Sequence, residues 1–280
     1  MKKKRVLTKL WIYGSMGLIL AILLFLFATI FARGAGALSW QFLVDRPRGE
    51  ILGSEGGIFP AIVGSLCFTG IAVATALLPA LATAAYLTFY CRRTRLAALL
   101  RAVIQCIAGI PSIVLGLFGY SMLVLALDFG RSVLSGGLTL GVMILPFLEV
   151  RAEKALRELP PDLLEASYAL GVSQFYTLRR VILPACRGDL VSGVISGACY
   201  AMGATAPLIF TGAVIGAPVP DSLFSPAMAL PYHLYMLLTQ GVSTDNAYAT
   251  ACVLLAIVLI SNGLATFYAG RHRQWNPSSH

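Results

Sequence analysis

Charged residues are scarce in this sequence. Only 12% of its 280 residues are Asp, Glu, Lys or Arg, whereas 58% are hydrophobic. Soluble globular domains carry about a quarter charged residues, so this composition excludes an ordinary soluble domain. The mean hydropathy of +0.81 agrees with that exclusion. We therefore expect an all-α polytopic membrane protein.

The sequence also lacks the usual signatures of catalysis. It contains no GxxxxGK[ST], HExxH or GxSxG motif, and its three histidines (His233, His272, His280) are scattered toward the C-terminus. The six cysteines have no paired, metal-type spacing and are expected to be small packing residues. Acidic residues are sparse within the apolar runs, which argues against the carboxylate relays of ion-coupled transporters. We expect a chain that is not an enzyme and binds no cofactor or metal itself.

Long uncharged runs are what the sequence does contain. Seven of them have 17 residues or more, and a bilayer core of about 30 Å needs about 20 helical residues. We predict six transmembrane helices within residues 10–32, 56–91, 102–127, 132–148, 190–220 and 246–270. The first run follows a basic "MKKKRVLTK" segment but is longer than a signal-peptide core, so we interpret it as an anchor helix.

A seventh uncharged run, residues 222–244, contains Pro226, Pro231 and Gly241. Because broken backbone at membrane depth must be buried in protein or line water, we expect an external loop with a short helix or a re-entrant piece. Six spans with the N-terminus inside place all but four of the 21 basic residues on the inner side. Those four are Arg33, Arg46, Arg48 and Arg131. The net charge of +9 is thereby explained without nucleic-acid binding.

The predicted organisation places both termini in the cytoplasm. Its parts are the N-terminus 1–9, helix 10–32, an external loop 33–55, a five-helix core 56–270 and the tail 271–280. Within the core lie an inner loop, 149–189, and an external loop, 221–245.

The inner loop predicts two short helices. Pro161 can occupy a first helical turn, and Asp162 and Glu165 favour a helix N-terminus over residues 161–170. Gly171 is suited to the stop, and Ser173 can cap a second helix. Its apolar residues recur at helical spacing before Pro184, which we expect to end the helix; they are Phe175, Leu178, Val181 and Ile182.

This loop resembles the EAA motif of ABC importer permeases, E-A-A-x3-G-x9-I-x-L-P. The matching residues are Glu165, Ala166, Ser167, Gly171, Val181, Leu183 and Pro184. The resemblance implies a type I ABC importer permease fold in which the loop, between helices 4 and 5, docks on a separate ATPase subunit. The other interpretation is an interfacial amphipathic hairpin with arginines near anionic lipid.

Three further stretches resemble the A-type permease subunit of phosphate-specific ABC importers: "GGIFPAIVGSL" (56–66), "AGIPSIVLGLFGY" (108–120) and "TAPLIFTGA" (205–213). The resemblance implies phosphate import across the cell inner membrane. It also implies the partners of such a system: a C-type sister permease, two copies of an ATPase that bind ATP and Mg, an external binding protein and membrane lipid. Alternatives are another small oxyanion (sulfate, molybdate or tungstate) or a membrane subunit that transports nothing. A homodimeric permease pair also stays open.

The sequence departs from the phosphate family at two places. Where the family reads R-x-x-G-E-T-A-P, this chain has Tyr200 and Ala204, and the Arg that the family carries at the inner end of the fourth span falls on Val150. We therefore predict a neutral, hydroxyl-lined path, with charge supplied by the sister subunit. The candidates are Ser65, Thr69, Ser112, Tyr200, Thr205 and Thr211, although each hydroxyl could instead bond a carbonyl of its own helix.

Overall fold

The computed structural model describes residues 2–49, 55–90 and 94–272. The described part is helical apart from one very small hairpin and the connections, of which the longest covers residues 212–229. Five residues used in the predictions above lie outside the described residues, namely Cys91, Arg92, Arg93, Arg273 and His280.

The N-terminal part consists of one long helix and a small cap. Its elements are α1 (Lys2–Gly34), α2 (Trp40–Val44), β1 (Pro47–Arg48) and β2 (Glu55–Gly56). The two strands pair antiparallel, with Pro47 opposite Gly56. The Ser39 hydroxyl accepts a hydrogen bond from the Phe42 amide and so caps the start of α2.

The second predicted span is one helix, whereas the third is broken. The elements are α3 (Phe59–Ala85) with a π-helical turn (Tyr86–Tyr90), α4 (Arg95–Gly109), and α5 (Ser112–Gly119) with a π-helical turn (Tyr120–Ala126). α4 and the α5 segment meet at an angle of 99°. Pro111 disfavours helical backbone at the residue before it, and Ile110 has an extended ψ of 127°. The single helix expected over 102–127 is therefore two.

The fourth span leads into a short helical hairpin. The elements are α6 (Val133–Arg157), α7 (Pro161–Ala169), α8 (Gln174–Thr177), a π-helical turn (Leu178–Ile182) and α9 (Leu183–Ala185). α6 continues past Leu148, where the uncharged run ends, because the charged residues that follow are good helix formers. We call residues 161–185 the coupling hairpin, after the role that the resemblance of this loop implies.

The last third of the chain contains a second broken helix and a long final one. Its elements are α10 (Arg187–Met202), α11 (Ala206–Thr211), α12 (Leu230–Thr239) and α13 (Thr244–His272). The fifth run, 190–220, is therefore not a single helix. The short helix expected within 222–244 is present as α12.

Four helices in the described residues are long and apolar enough to cross a membrane: α1, α3, α6 and α13. The count rises to six if each of two bent pairs is one span. These pairs are α4 with α5, and the helical segment Gln174–Ala185 with α10, which bend by 99° and 73°. The prediction of six spans corresponds to this upper count.

The main core lies between α3 and α6. Along α3, Ala72, Ala76, Ala80 and Ala84 recur every fourth residue, and all are buried. Such spacing puts small residues on one helix face, which lets two backbones approach closely. On the opposing helix, a Cβ atom at Gly137 would lie 2.6 Å from the Ile71 Cβ. Small residues on both helices therefore set this interface.

Candidate coupling hairpin and translocation face

The coupling hairpin turns at Gly171. This residue has φ of +72°, and no atom lies within 4 Å of the position a Cβ would take, so backbone conformation rather than space favours glycine there. The Gly171 amide donates to the Tyr168 carbonyl at 2.9 Å. Ser173 caps α8 by accepting from the Tyr176 amide at 3.3 Å. The predicted stop and cap are confirmed.

A pair of buried hydroxyls fastens the two arms of the hairpin. Thr177 donates to the Ser173 carbonyl at 3.1 Å, which leaves its oxygen free to accept from the Ser167 hydroxyl at 2.8 Å. Ser167 occupies the third small position of the motif, where the family has alanine. The motif accounts for Ser167 only as a small residue, and nothing in it points to Thr177, ten positions away. The serine that replaces the family's alanine thus has a hydrogen-bond partner across the turn.

The hairpin presents an exposed apolar surface beside the motif. Leu170 is 83% exposed and Phe175 is 64% exposed, and Tyr168 and Tyr176 are exposed as well. Glu165 and Ala166 are exposed on the first arm. Of the apolar residues predicted at helical spacing, Leu178 and Ile182 pack in an apolar cluster, whereas Phe175 stays exposed.

The opposite side of the hairpin is packed against the inner ends of α3 and α6. Buried Ile182 joins Ala84, Ala152 and Leu156 in one apolar cluster. Leu183 is partly buried against that cluster, Val181 is half-buried, and Pro184 is exposed. A displacement of the hairpin must therefore shift the two central helices or break this packing.

Pro184 does not end the helical segment as predicted. The chain stays helical to Ala185, and the bend comes at Cys186. Proline lacks the amide proton that an α-helix needs. The π-helical turn before it, in which the Leu183 amide donates to the Leu178 carbonyl, already departs from the α-helical pattern at this point.

The break in the fifth run lies at 203–205, just before Pro207 rather than at it. Pro207 is in the first turn of α11, where its missing donor is not needed. A continuous helix would instead place its ring against the Gly203 carbonyl. α5 packs alongside α11: a Cβ at Gly116 would lie 2.9 Å from the Pro207 Cα, and one at Gly119 would lie 2.9 Å from the Thr211 Cγ2. The two short helices therefore run in parallel.

The hydroxyl candidates do not form one group. The Ser65 hydroxyl accepts from the Leu230 amide at 2.8 Å, and the Thr211 hydroxyl donates to the Pro207 carbonyl at 2.8 Å. Thr69 is buried, and its hydroxyl has no partner among the described residues. The three that stay accessible are Ser112 and Thr205, at the starts of α5 and α11, and Tyr200, which is 52% exposed.

The structure places a cation over Phe147, whose ring lies beside that of Tyr200. The Arg151 guanidinium lies over the Phe147 ring at 5.3 Å, and the Phe147 and Tyr200 ring centroids are 5.9 Å apart. We call the surface formed by Phe147, Arg151 and Tyr200 the α6–α10 face. From the sequence, Arg151 contributed to the charge bias of the loops and was the neighbour of Val150, and the i, i+4 spacing of Phe147 and Arg151 was a further usable signal.

The acidic residues of α6 lie elsewhere. Glu149 is only 2% exposed, and its Oε1 atom has no hydrogen-bond partner among the described residues. Glu153 pairs with Arg101 at 3.7 Å and with Arg157 one turn along. Near the C-terminal end of α6, Glu149 is therefore buried and Glu153 belongs to an ion-pair cluster. Arg151 is exposed and is not part of that cluster.

The opposite end of the core is closed by the loop before α12. The carbonyls of Ser225 and Leu223 accept from the first amides of α6, at Val133 and Leu134. The Arg131 guanidinium donates to the Ile209 carbonyl at 2.6 Å, at the C-terminal end of α11.

α12 is held in place by two polar contacts. Its first amide, at Leu230, bonds Ser65, and the His233 Nδ1 atom lies 3.3 Å from the Thr250 hydroxyl on α13. Burial lowers the pKa of His233 to about 4, so the imidazole is neutral near pH 7. We therefore assign Ser65 and His233 structural roles.

Comparison with known proteins identifies the family. Residues 80–274 match the family described as binding-protein-dependent transport system inner membrane component. The chain belongs to this family. It is 29% identical over 260 residues to the probable ABC transporter permease protein YqgI of Bacillus subtilis, covering 88% of each chain. It is 30% identical to the phosphate transport system permease protein PstA 2 of Mycobacterium bovis, covering 88% of this chain and 79% of that one.

The fold has relatives among solved structures. An inward-facing structure of the MetNI methionine ABC transporter superposes with a TM-score of 0.64 at 18% identity, over 76% of this chain and 94% of that chain. This similarity establishes the type I permease fold. The chain is a multi-pass inner-membrane permease component of an ABC importer and is not itself catalytic. Membership of the family implies an ATPase partner and a substrate-binding protein.

Proposed function

We propose that this chain is the A-type permease subunit of an importer for inorganic phosphate. It pairs with a C-type sister permease and with two ATPase subunits, which bind ATP and Mg. An external binding protein delivers the anion, and ATP-driven closure of the ATPase pair acts on the coupling hairpin. Both termini are then cytoplasmic, and the loop before α12 is external.

The observation that carries this proposal is the geometry of the coupling hairpin. It has an exposed apolar edge at Leu170 and Phe175, a rigid turn at Gly171, and a buried side against α3 and α6. An exposed apolar edge on an otherwise polar segment fits docking to another protein. The buried side supplies a mechanical connection from that partner to the helices of the core.

Phosphate as the substrate is supported by the relatives named as phosphate transport system permease proteins. A different small oxyanion, such as sulfate, molybdate or tungstate, is the second candidate. It is favoured by Tyr200 and Ala204, which stand where the phosphate family has Arg and Glu. Reconstituted uptake with the cognate partners separates the two: uptake of another oxyanion without any uptake of phosphate would overturn the phosphate assignment.

The coupling role is tested with Gly171→Pro and Glu165→Lys. Proline cannot adopt the φ of +72° at Gly171, and the lysine reverses an exposed charge on the first arm. We expect the variants to insert normally but to lose stimulation of ATPase activity by the loaded binding protein. Matched controls are Gly241→Pro, at another glycine of positive φ with open space around it, and Glu55→Lys. Wild-type coupling in both hairpin variants, or equal loss in the controls, would contradict the role.

A further inference from the structure

A buried hydroxyl pair joins the two arms of the coupling hairpin. Ser167, on α7, is 7% exposed, and Thr177, at the end of α8, is 1% exposed. Their hydroxyl oxygens are 2.8 Å apart, and the Thr177 hydroxyl also lies 3.1 Å from the Ser173 carbonyl. A hydroxyl carries a single hydrogen, so both contacts are satisfied when Thr177 donates to Ser173 and accepts from Ser167. The bond between the arms therefore has a defined direction.

The two arms differ in how the core holds them. On the second arm, Ile182 is buried, and Leu178 and Leu183 pack against the same apolar cluster at the inner ends of α3 and α6. On the first arm, Leu164 packs against that cluster, whereas Leu170 at its end is 83% exposed. Helices of nine and four residues are too short to be stable alone. The end of the first arm thus depends on the second arm for its position.

The turn does little to fix the angle between the arms. No atom lies within 4 Å of the position that a Cβ would take at Gly171, and glycine has the greatest backbone freedom. The Gly171 amide donates to the Tyr168 carbonyl and the Thr177 amide to the Ser173 carbonyl, so each of these bonds stays within one arm. The hydroxyl pair is the contact that restricts opening of the arms.

The exposed apolar edge takes residues from both arms. Leu170 follows the first helix and Phe175 lies in the second, and both are exposed. Opening of the arms would therefore change the shape of this edge. Ser167 follows the exposed Ala166, and Thr177 directly precedes Leu178, which packs on the core cluster. The hydroxyl pair thus connects the exposed first arm to the arm that is anchored in the core.

We propose that Ser167 and Thr177 are positioning residues for ATPase coupling, because their hydrogen bond makes the two arms move as one body. If the arms open, closure of the ATPase pair moves the edge without moving α3 and α6, and ATP is hydrolysed without transport. The alanine that the family has at position 167 allows close approach but donates no side-chain hydrogen bond. This inference rests on the coupling role proposed above and is independent of which oxyanion is carried.

The test uses the full complex with its sister permease, ATPase subunits and binding protein in proteoliposomes. Inorganic phosphate is the probe, and ATP hydrolysed per anion imported is measured. Thr177→Val removes the hydroxyl and should raise this ratio about fivefold, the factor that one neutral hydrogen bond typically contributes to an equilibrium. Thr177→Ser keeps the hydroxyl and should couple as the wild type does. Ser167→Ala leaves the bond from Thr177 to Ser173 intact and should raise the ratio less, by about twofold.

A matched control lies at the start of α6. The Ser132 hydroxyl donates to the Ser135 hydroxyl at 3.0 Å, which donates to the Gly130 carbonyl at 3.0 Å, and both serines are fully buried. Ser135→Ala removes the same kind of contact outside the hairpin. It should lower the melting temperature and leave the ratio of ATP to anion unchanged. This control separates loss of stability from loss of coupling.

A double-mutant cycle tests whether the two hydroxyls act together. Ser167→Ala combined with Thr177→Val should be no worse than Thr177→Val alone, because the shared bond is already lost. Additive effects would overturn the inference. A wild-type ratio in Thr177→Val would overturn it, and so would an equal rise in Thr177→Ser or in Ser135→Ala. If Thr177→Val does not assemble, Ser167→Ala decides, and a wild-type ratio there would overturn the inference.

Failure of this inference differs from failure of the proposed function. Wild-type coupling in Gly171→Pro and Glu165→Lys would remove the coupling role itself. Loss of coupling in those two variants, with wild-type coupling in the Ser167 and Thr177 variants, would remove the hydroxyl pair's role alone. If the wild type imports no phosphate, the phosphate assignment fails, and the same ratio is measured with the anion that it carries.

Discussion

Helices α1 and α6 are both long and apolar, but α1 is exposed whereas α6 is mostly buried. None of the most apolar 18-residue window of α1 is buried, whereas 67% of that of α6 is. α1 is also the more hydrophobic of the two. It touches the described part of the core near its C-terminal end, where the Cys252 thiol donates to the Ile30 carbonyl at 3.2 Å.

The difference follows from the membrane as a solvent. Lipid tails are as apolar as leucine side chains, so no hydrophobic effect drives one apolar helix against another. Helices associate where small residues allow close packing, as Gly136, Gly137 and Gly141 do in α6. Large side chains such as Phe25 and Leu24 stay exposed on α1. The apolar content of a run therefore indicates that it spans the membrane. Its contacts with other helices form where small residues allow a neighbouring helix to pack closely.

The largest expected effect is from Gly137→Leu in α6. The new Cβ would lie 2.6 Å from both the Cβ and the Cγ2 of Ile71, so α3 and α6 must separate. Overpacking of this kind destabilises by about 3 kcal/mol. Thermal unfolding in detergent measures the loss. The matched control is Gly17→Leu in α1, where no atom lies within 4 Å, and equal losses in the two variants would refute the contrast.

Gly34→Leu should detach α1 at its contact with α13. Its Cβ would lie 2.5 Å from the Cys252 Sγ and 2.6 Å from the Tyr248 carbonyl oxygen. We expect a loss of about 1–3 kcal/mol and faster maleimide labelling of Cys252, which is buried in the wild type. Gly14→Leu, with no neighbouring atoms, is the control. Unchanged labelling in Gly34→Leu would show that this contact does not protect the thiol.

Ser65→Ala should have a smaller effect. It leaves the Leu230 amide, the first of α12, without its acceptor at 2.8 Å. An unsatisfied buried donor costs about 1–2 kcal/mol. Thr29→Ala in α1 removes a hydroxyl that only bonds its own helix, at the Phe25 carbonyl, and should be neutral. Protease sensitivity around α12 would report the loosening, and equal sensitivity in both variants would argue against a specific role for Ser65.

The smallest effect is expected from Arg33→Gln. Its guanidinium lies 5.3 Å from the Tyr248 ring centroid and donates to the Tyr248 hydroxyl at 3.3 Å. An exposed cation–π contact is worth about 0.5–1 kcal/mol. Arg46→Gln, another exposed arginine expected on the same side, is the control. A change in melting temperature as large as that of Gly34→Leu would mean that the charge, and not close packing, holds α1.

The coupling hairpin was largely predictable because its signals are local. A proline start, a glycine at positive φ and a serine cap act within one or two turns of the chain, and the helices begin and end near the predicted positions. The failure there, at Pro184, follows the π-helical turn at 178–182. Its longer repeat is not visible in residue spacing.

The candidate pathway was less predictable because a hydroxyl's use depends on distant residues. The Ser65 hydroxyl accepts a hydrogen bond from the Leu230 amide, 165 positions away, whereas the Tyr200 side chain is exposed. The contact of Phe147 with Tyr200 likewise depends on how α6 packs against α10. Which polar groups remain free for a ligand is decided by packing between elements.

The sequence by itself determined that the chain lies in a membrane, where its apolar runs fall and where the hairpin turns. These properties depend on composition and on neighbours within a few residues. Tertiary structure decided which helices are buried, where the third and fifth runs bend, and that Phe147, which carries Arg151 over its ring, packs against Tyr200. The sequence does not distinguish Gly17 in α1 from Gly137 in α6. Only the helix packed against α6 leaves no room for a larger side chain at Gly137.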